Sequence, residues 1–344
     1  MGYKLTYPEV NELFNKLRKE YKIFAPKRYK GEGRFSDTDI IKYAEVESVE
    51  EIVFDEKSTY PAKEVLTPIS ETMYYYTGDE IRERVVEDDR KYLILGRPCD
   101  INAIARQDRI YLQNAGFEDA FYKRRRDKVK FICLECVDGF DTCFCKTMES
   151  NATDDYSMAI RVLGDGILFN ADDEFKPYFE GSKEEPFTLE FIQHDNAPVT
   201  LPDIPDTEIL KGLIHSPMWD EEYNSRCVEC GSCTIACSTC TCYTTRDVIY
   251  DSNGEVGVRR RVEASCEIKG FDEMAGGHYF RPSAGAKLRY RVLHKVYDYK
   301  KKFGDHHMCV GCGRCTDRCP AYISMTAAIN RATVVVNELK EARG

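Results

Sequence analysis

The order of apolar and polar positions predicts a first part in which short strands and helices alternate. Residues 3–20 have apolar side chains at helical spacing, which predicts an amphipathic helix. From residue 22 to about 200, short β-rich runs alternate with polar turns. These patterns predict strands at 91–96 and 129–136, a hairpin at 158–171 that turns at 164–166, and helices at about 75–88 and 100–125.

A different pattern begins after residues 196–206, which hold three prolines and are typical of a linker. Helices are predicted at 207–217, at 285–302 and from about 330 to the last residue. The apolar stripe of the second helix is interpreted as core packing, with basic residues on its other face. The fold class is therefore predicted to be α+β, with a mixed α/β domain at 1–200 and a mostly helical domain at 207–344.

Length and charge narrow the class of protein. The 344 residues are 42% apolar, and the net charge is 49 − 59 = −10, which argues against a general nucleic-acid binder. Three short basic runs, at 123–126, 259–261 and 300–302, are interpreted as solvated surface. No run approaches the roughly 18 apolar residues of a membrane span, and the N-terminus lacks the order of a signal peptide. We expect a cytoplasmic protein without a membrane span.

The sixteen cysteines are the strongest indication of the chemistry of this chain. They are clustered: one is Cys99, four lie in 133–145, six in 227–242, one is Cys266, and four lie in 309–319. In a chain without export signals, such cysteines are typical of thiolate ligands to metal and not of disulfides.

Two of the cysteine clusters contain the same spacing, C-x2-C-x2-C-x3-C. In two-cluster ferredoxins the first three cysteines of such a run bind one 4Fe–4S cluster, and the fourth binds the other cluster. By this crossed pairing, cluster 1 is assigned to Cys227, Cys230, Cys233 and Cys319, and cluster 2 to Cys309, Cys312, Cys315 and Cys237. The module is predicted to be ferredoxin-like, with a long insert at 238–308.

Structural zinc is the alternative for these runs, because two C-x2-C pairs can form a tetrahedral site. A third and a fourth cysteine in each run exceed what one zinc ion requires, so the iron–sulfur interpretation is favoured. Cys240, Cys242 and Cys266 are left over, and buried thiols or ligands of a further group are both open interpretations.

The cysteines of the first part permit one more site. Cys99 follows the strand predicted at 91–96, and Cys133 and Cys136 end the strand predicted at 129–136. Cys143 and Cys145 come shortly after them. Five cysteines could supply one further four-thiolate cluster with one to spare, and structural zinc or plain thiols remain open.

Several motifs together resemble the iron–sulfur electron-transfer subunit of anaerobic sulfite reductase and the related β subunit of cytoplasmic sulfhydrogenases. They cover most of the chain from about 60 to 330 and are YPAK (60–63), RPCD (97–100), CFC (143–145), STCTC (238–242), AGGHYFR (275–281), RVLHK (291–295) and CVGCGRCTDRCP (309–320). The stretch RVLHKVYDYKKKFG is most similar to the sulfite reductase protein. Ser238 departs from the proline that usually follows such a cysteine run, which affects local geometry only.

The resemblance implies a non-catalytic electron-transfer subunit of an oxidoreductase. It would relay electrons from a flavin subunit that oxidises NADH to a sirohaem subunit that reduces sulfite, so FAD, NADH and sirohaem are expected on partner subunits. The resemblance also implies a third cluster on Cys99, Cys136, Cys143 and Cys145, with Cys133 as the spare. The alternatives are the β subunit of a nickel–iron sulfhydrogenase and a non-redox zinc-binding module.

Overall fold

The structure is a computed structural model that describes residues 1–83, 88–114 and 116–344. The strands are β1 Gly2–Leu5, β2 Tyr21–Tyr29, β3 Ile40–Glu45, β4 Ser70–Thr77, β5 Glu80–Glu83, β6 Lys91–Gly96, β7 Val129–Leu134, β8 Met158–Leu163, β9 Gly166–Ala171, β10 Lys183–Glu185, β11 Tyr243–Ile249, β12 Val256–Glu263, β13 Glu273–Met274 and β14 His278–Tyr279. The helices are α1 Tyr7–Leu17, α2 Lys63–Leu66, α3 Pro98–Gln113, α4 Ala120–Arg126, α5 Thr207–Ile214, α6 Met218–Tyr223, α7 Ser232–Ile235, α8 Ala284–Leu293, α9 Tyr299–Phe303, α10 Arg314–Asp317 and α11 Met325–Glu341.

These elements form two compact units, each built from segments that are separate in the sequence. Unit 1 consists of Met1–Asp138, Asn151–Ile192 and Tyr243–Glu263. Unit 2 consists of Gly139–Ser150, Gln193–Cys242 and Ala264–Gly344. The domain bounds 1–200 and 207–344 stay a prediction. The two units divide the chain differently, because 139–150 and 193–200 are in unit 2 and the insert residues 243–263 are in unit 1.

The centre of unit 1 is an eight-stranded sheet in the order β10-β1-β9-β8-β7-β6-β2-β3. Strands β2, β6, β7 and β8 are parallel neighbours, and the outer pairs are antiparallel. Parallel strands are buried on both faces, so successive residues must both be apolar. Leu93 and Leu95 of β6 accordingly pack in one core with α1, whereas Ile94 packs in the other core with α3 and α4.

A second sheet of unit 1 has the order β11-β12-β4-β5. The antiparallel hairpin β11–β12 comes from the insert between the two cysteine runs, and β12 pairs with β4 from the first part of the chain. The helix predicted at 75–88 is therefore wrong over residues 75–83, which form β4 and β5 around Gly78. Residues 84–87 lie outside the described residues.

Unit 2 is mostly helical, as predicted. Its core contains apolar side chains of α5, α6, α8 and α11. Residues 284–303 form one continuous helical stretch, in which a π-helical turn at His294–Asp298 joins α8 to α9. The side chains predicted to form its core stripe are all buried, namely Leu288, Val292, Leu293, Val296 and Tyr299.

Most of the remaining predicted elements are confirmed, and with them the α+β fold class. The strands at 91–96 and 129–134, the hairpin at 158–171 and the helices within 100–125 are present. The helix predicted at 3–20 begins only at Tyr7, because residues 2–5 pair with β9 and β10. Within the described ranges, the helices are too short or too polar to cross a bilayer.

Two of the three basic runs are more than solvated surface. In unit 1 their arginines form ion pairs with carboxylates: Arg124 with Glu83, Arg125 with Glu71, Arg126 with Asp108, Arg259 with Asp247, and Arg261 with Asp119. Arg125, Arg126 and Arg261 are largely shielded from solvent in these pairs and hold contacts inside the unit. The pairs of Arg124 and Arg259 are exposed and contribute little. In the third run, Lys301 and Lys302 are exposed at the end of α9.

Candidate metal centres

The two cysteine runs fold into loops with the same backbone conformation. Glu229 and Gly231 have φ values of 52° and 74°, and the matching residues Gly311 and Gly313 have 63° and 74°. Each loop then enters a short helix, α7 or α10. This conformation turns main-chain amides toward the cysteine sulfurs, and the Gly311 N–H donates to Cys309 Sγ at 3.3 Å. Hydrogen bonds of this kind stabilise thiolates and tune iron–sulfur clusters.

The segment 142–150 packs on the second loop within unit 2. The Phe144 N–H donates to the Gly311 carbonyl at 2.8 Å, and the Ser150 hydroxyl donates to the Val310 carbonyl at 2.6 Å. The contact is so close that a Cβ on Gly311 would lie 2.4 Å from the Phe144 carbonyl carbon. Glycine is required here by the covering backbone as well as by its positive φ.

Five cysteines line one cavity, together with Glu267 and apolar side chains of α8 and α11, namely Cys227, Cys230, Cys233, Cys315 and Cys319. Three of them come from the first run and two from the second: Cys319 is the residue that crossed pairing adds to the first set, whereas Cys315 belongs to the second predicted set. Burial raises the pKa of the Cys227 thiol, and the Glu229 backbone N–H lowers it again. The assignment of Cys227, Cys230, Cys233 and Cys319 as the ligands of cluster 1 remains a prediction.

The second predicted set is also brought together within unit 2. Burial raises the pKa of the Cys309 thiol, and the nearby charges of Cys315, Cys312 and Cys237 raise it further. Four buried thiolates would repel one another strongly, so this arrangement needs compensating positive charge. Iron ions of a cluster supply such charge, and thiolate sulfur is the ligand that these clusters use.

The donor set fits 4Fe–4S clusters. Within the described ranges, no three or more His, Cys, Asp or Glu side chains converge as they would around a single metal ion. The cysteines of the first set border the cavity described above, whose other walls are mostly apolar and include the charged side chains of Glu267 and Arg291.

The third predicted set is divided between the two units. Cys99 lies in the first turn of α3, and Cys136 follows β7 and pairs with Phe191, so both are in unit 1. Cys143 and Cys145 lie in unit 2, where the Cys143 thiol is 3.6 Å from the Cys312 carbonyl oxygen. The ligand set of a third cluster stays a prediction.

Of the four cysteines left without a cluster, Cys133 and Cys266 are buried, and Cys240 and Cys242 are partly buried. Cys133 lies in the core on the α3 and α4 side of the large sheet, where burial raises its pKa to about 12. Burial also raises the pKa of Cys266 to about 11. Cys240 Sγ lies 3.8 Å from the guanidinium of Arg291. Their roles beside the clusters remain open, as does that of Cys242.

A row of buried cations faces the cysteines, and sequence reasoning assigned it no function. Lys287, Arg291 and Lys295 follow at four-residue spacing on α8 and the π-helical turn, and all three are buried. Arg291 donates to the Cys233 carbonyl at 2.8 Å, and Lys295 donates to Thr239 Oγ1 at 3.0 Å. The only signal in the sequence was the four-residue spacing of Lys287, Arg291 and Lys295 within the insert between the two cysteine runs.

The charge environment explains why these cations are tolerated in the interior. Burial alone would lower the pKa of Arg291, but the negative charges of Cys233, Cys240 and Cys237 raise it instead. The same balance raises the pKa of Lys295. Buried cations usually require paired anions. Thiolates that hold an iron–sulfur cluster would stay ionised and provide them, so Arg291 and Lys295 would stabilise clusters bound by the neighbouring cysteines.

Glu267 is a second buried charge-bearing residue that the sequence did not reveal. It lines the cavity of the first cysteine set, and neither carboxyl oxygen has a hydrogen-bond partner within the part of the chain that the structure describes. Burial raises the pKa of this carboxyl, although Arg291 and Lys287 partly offset the effect. The protonated form is therefore favoured relative to an exposed glutamate.

Comparisons with known proteins agree with this chemistry. Residues 226–323 match the family model described as a 4Fe-4S dicluster domain. Over 328 residues, the chain is 30% identical to the sulfhydrogenase 2 subunit beta of Pyrococcus furiosus, and the match covers 91% of this chain and 92% of the relative. No solved structure matches.

Proposed function

Since this chain belongs to the family of iron–sulfur electron-transfer subunits that includes the sulfhydrogenase 2 subunit beta, we propose that it serves a sulfhydrogenase-type complex. It passes single electrons between a catalytic subunit and a flavin subunit and makes or breaks no substrate bond. FAD, NADH and the catalytic metal bind those partner subunits.

The observation that carries the proposal is the pair of matching loops in unit 2. Thiols of both runs meet at one cavity, which is lined by Cys227, Cys230 and Cys233 of the first run and by Cys315 and Cys319 of the second. A dicluster module holds two centres close together in this way. Electron relay is the activity that such a module supports without any further catalytic group.

The clusters, when bound, accept and release one electron at a time. The residues of the chain do the rest: thiolates hold the iron, and the Gly311 amide donates to a ligand sulfur. Arg291 and Lys295 balance the added negative charge, while apolar walls from α8 and α11 exclude water. Hydrogen bonding, charge and solvent access are the terms that set cluster potentials.

The sequence favoured a sulfite reductase complex with a sirohaem partner and kept the sulfhydrogenase complex as the alternative. The similarity to the sulfhydrogenase 2 subunit beta supports the alternative better, because that match covers nearly the full length of both chains. The motif RVLHKVYDYKKKFG at 291–304 remains the observation in favour of sulfite reductase.

Purification of the native complex under anaerobic conditions tests the proposal. We expect about 12 iron and 12 sulfide per chain for three 4Fe–4S clusters, or about 8 of each for two. A nickel-containing partner is expected, and a sirohaem absorption band in its place would assign the chain to sulfite reduction. Zinc without acid-labile sulfide would overturn both assignments.

A further inference from the structure

The two cysteine loops share a backbone conformation but differ in exposure. Val228 of the first loop is 65% exposed, whereas the matching Val310 of the second loop is 2% exposed. Cys230 is exposed, and it is the one exposed cysteine among the sixteen, all of which lie in the described ranges. The first cluster site therefore reaches the surface of its unit.

The difference has a local cause within unit 2. The segment 142–150 covers the second loop through Phe144 and Ser150, and both donate hydrogen bonds to its carbonyls. At the first loop, a Cβ on Gly231 would lie 2.8 Å from the end of the Ile268 side chain and 3.3 Å from Ser265 Cβ, so its three nearest neighbours are side-chain atoms. Ile268 is itself 43% exposed, so it borders the opening and does not close it.

Apolar and basic groups surround this opening. Tyr322 is 87% exposed and lies three residues after the ligand Cys319, and Arg226 donates to its carbonyl oxygen at 3.3 Å. Arg226 and Lys269 are both exposed. The nearest carboxylate of the loop, Glu229, is paired with buried Lys287. The rim is thus apolar with a positive border, although the chain as a whole carries a net charge of −10.

We propose that the cluster site of Cys227, Cys230, Cys233 and Cys319 exchanges electrons with a partner subunit, which docks on the rim formed by Val228, Ile268 and Tyr322. The occupant is a redox subunit whose contact surface is apolar and bordered by carboxylates. This inference rests on the proposed function and adds the place at which electrons enter or leave.

The chemistry of the exchange is one electron and no proton. When the partner's centre donates, it is oxidised by one electron and the 4Fe–4S cluster is reduced by one, and the reverse holds when the partner accepts. Aromatic and aliphatic side chains at the centre of an interface exclude water. Complementary charges at its border speed association and make the rate fall as salt rises.

Solvent access to the clusters gives the first test, on the full chain purified with its clusters. After reduction with dithionite, dysprosium–EDTA should shorten the electron-spin relaxation of the cluster signal that Cys230→Ser removes. It should leave the other dicluster signal unaffected, and the intact complex should protect the first signal. Equal access to both signals, or no protection in the complex, would overturn the inference.

Charge variants on the rim give the second test, in the native complex. Ile268→Glu and Tyr322→Asp should lower the rate at which NADH or hydrogen reduces the clusters at least tenfold. Iron content and the cluster spectra of the free chain should stay unchanged. Val334→Glu on α11 is the matched control, because Val334 is also 43% exposed in unit 2; its rate should equal that of the wild type.

Wild-type rates in both rim variants would overturn the docking site while leaving the iron–sulfur relay intact. The same holds if the isolated chain is a dimer that these variants dissociate, since the occupant would then be a second copy. Absence of clusters from the wild-type chain would instead overturn the proposed function, so the two failures are distinguishable.

Discussion

Arg291 offers the sharpest test of how the interior of unit 2 accommodates negatively charged clusters. Its guanidinium is buried and donates to the carbonyl of the predicted ligand Cys233 at 2.8 Å. The charges of Cys237 and Cys315, which belong to the other predicted set, also act on it. Arg291→Gln removes this positive charge between the two sets and keeps a hydrogen-bond donor.

The expected shift in potential follows from Coulomb's law. Two unit charges about 8 Å apart interact by about 2 kcal/mol at an effective dielectric constant of about 20. About 1.4 kcal/mol changes an equilibrium constant tenfold. For a one-electron couple, a tenfold change in the equilibrium constant corresponds to about 59 mV, so an interaction of about 2 kcal/mol corresponds to roughly 80 mV. A reduced cluster carries one more negative charge than an oxidised one, so loss of the cation lowers the potential.

Redox titration followed by electron paramagnetic resonance measures this shift. We expect Arg291→Gln to lower both dicluster potentials by roughly 80 mV, and Arg291→Lys, which keeps the charge, to lower them less. Lys301→Gln is the control, because it removes an equal charge from the exposed end of the same helical stretch. Unchanged potentials in Arg291→Gln, with full iron content, would refute the counter-charge argument.

Other predictions concern single residues of the loops and the core. Cys230→Ser should remove about four iron per chain, measured by iron analysis, and an unchanged count would contradict the assignment. Gly311→Ala should destabilise the chain by about 1–3 kcal/mol in denaturant titrations, because its Cβ would meet the Phe144 backbone. Gly231→Ala, whose Cβ would meet the side chains of Ile268 and Ser265 and not a backbone carbonyl, should cost less. Cys133→Ala should lower the thermal midpoint without changing iron content, since that thiol packs in the core of unit 1.

Patterns that depend on neighbours in the sequence were predicted well. The repeated cysteine spacing pointed to two related loops, and the structure shows that they share a backbone conformation. The strand at 91–96 and the stripe Leu288–Tyr299 were likewise predicted, because alternation and helical spacing are local signals. In the strand and in the helical stripe, the burial of apolar side chains determines the local structure.

Features that depend on distant contacts were not predicted. Residues 75–83 have the composition of a polar helix but form β4 and β5, because β12 from the insert pairs with β4. The burial of Lys287, Arg291 and Lys295 could not be inferred from the sequence either, since basic residues are ordinarily exposed. The cysteines beside Arg291 and Lys295, and the Glu229 carboxylate paired with Lys287, make their burial favourable.

The central claim is that the two cysteine loops hold two 4Fe–4S clusters. Its most direct test is the electron paramagnetic resonance spectrum of the anaerobically purified, dithionite-reduced full chain, recorded beside its iron and sulfide content. We expect signals from two neighbouring reduced clusters and at least about 8 iron and 8 sulfide per chain. A colourless chain with a silent spectrum and no sulfide would contradict it.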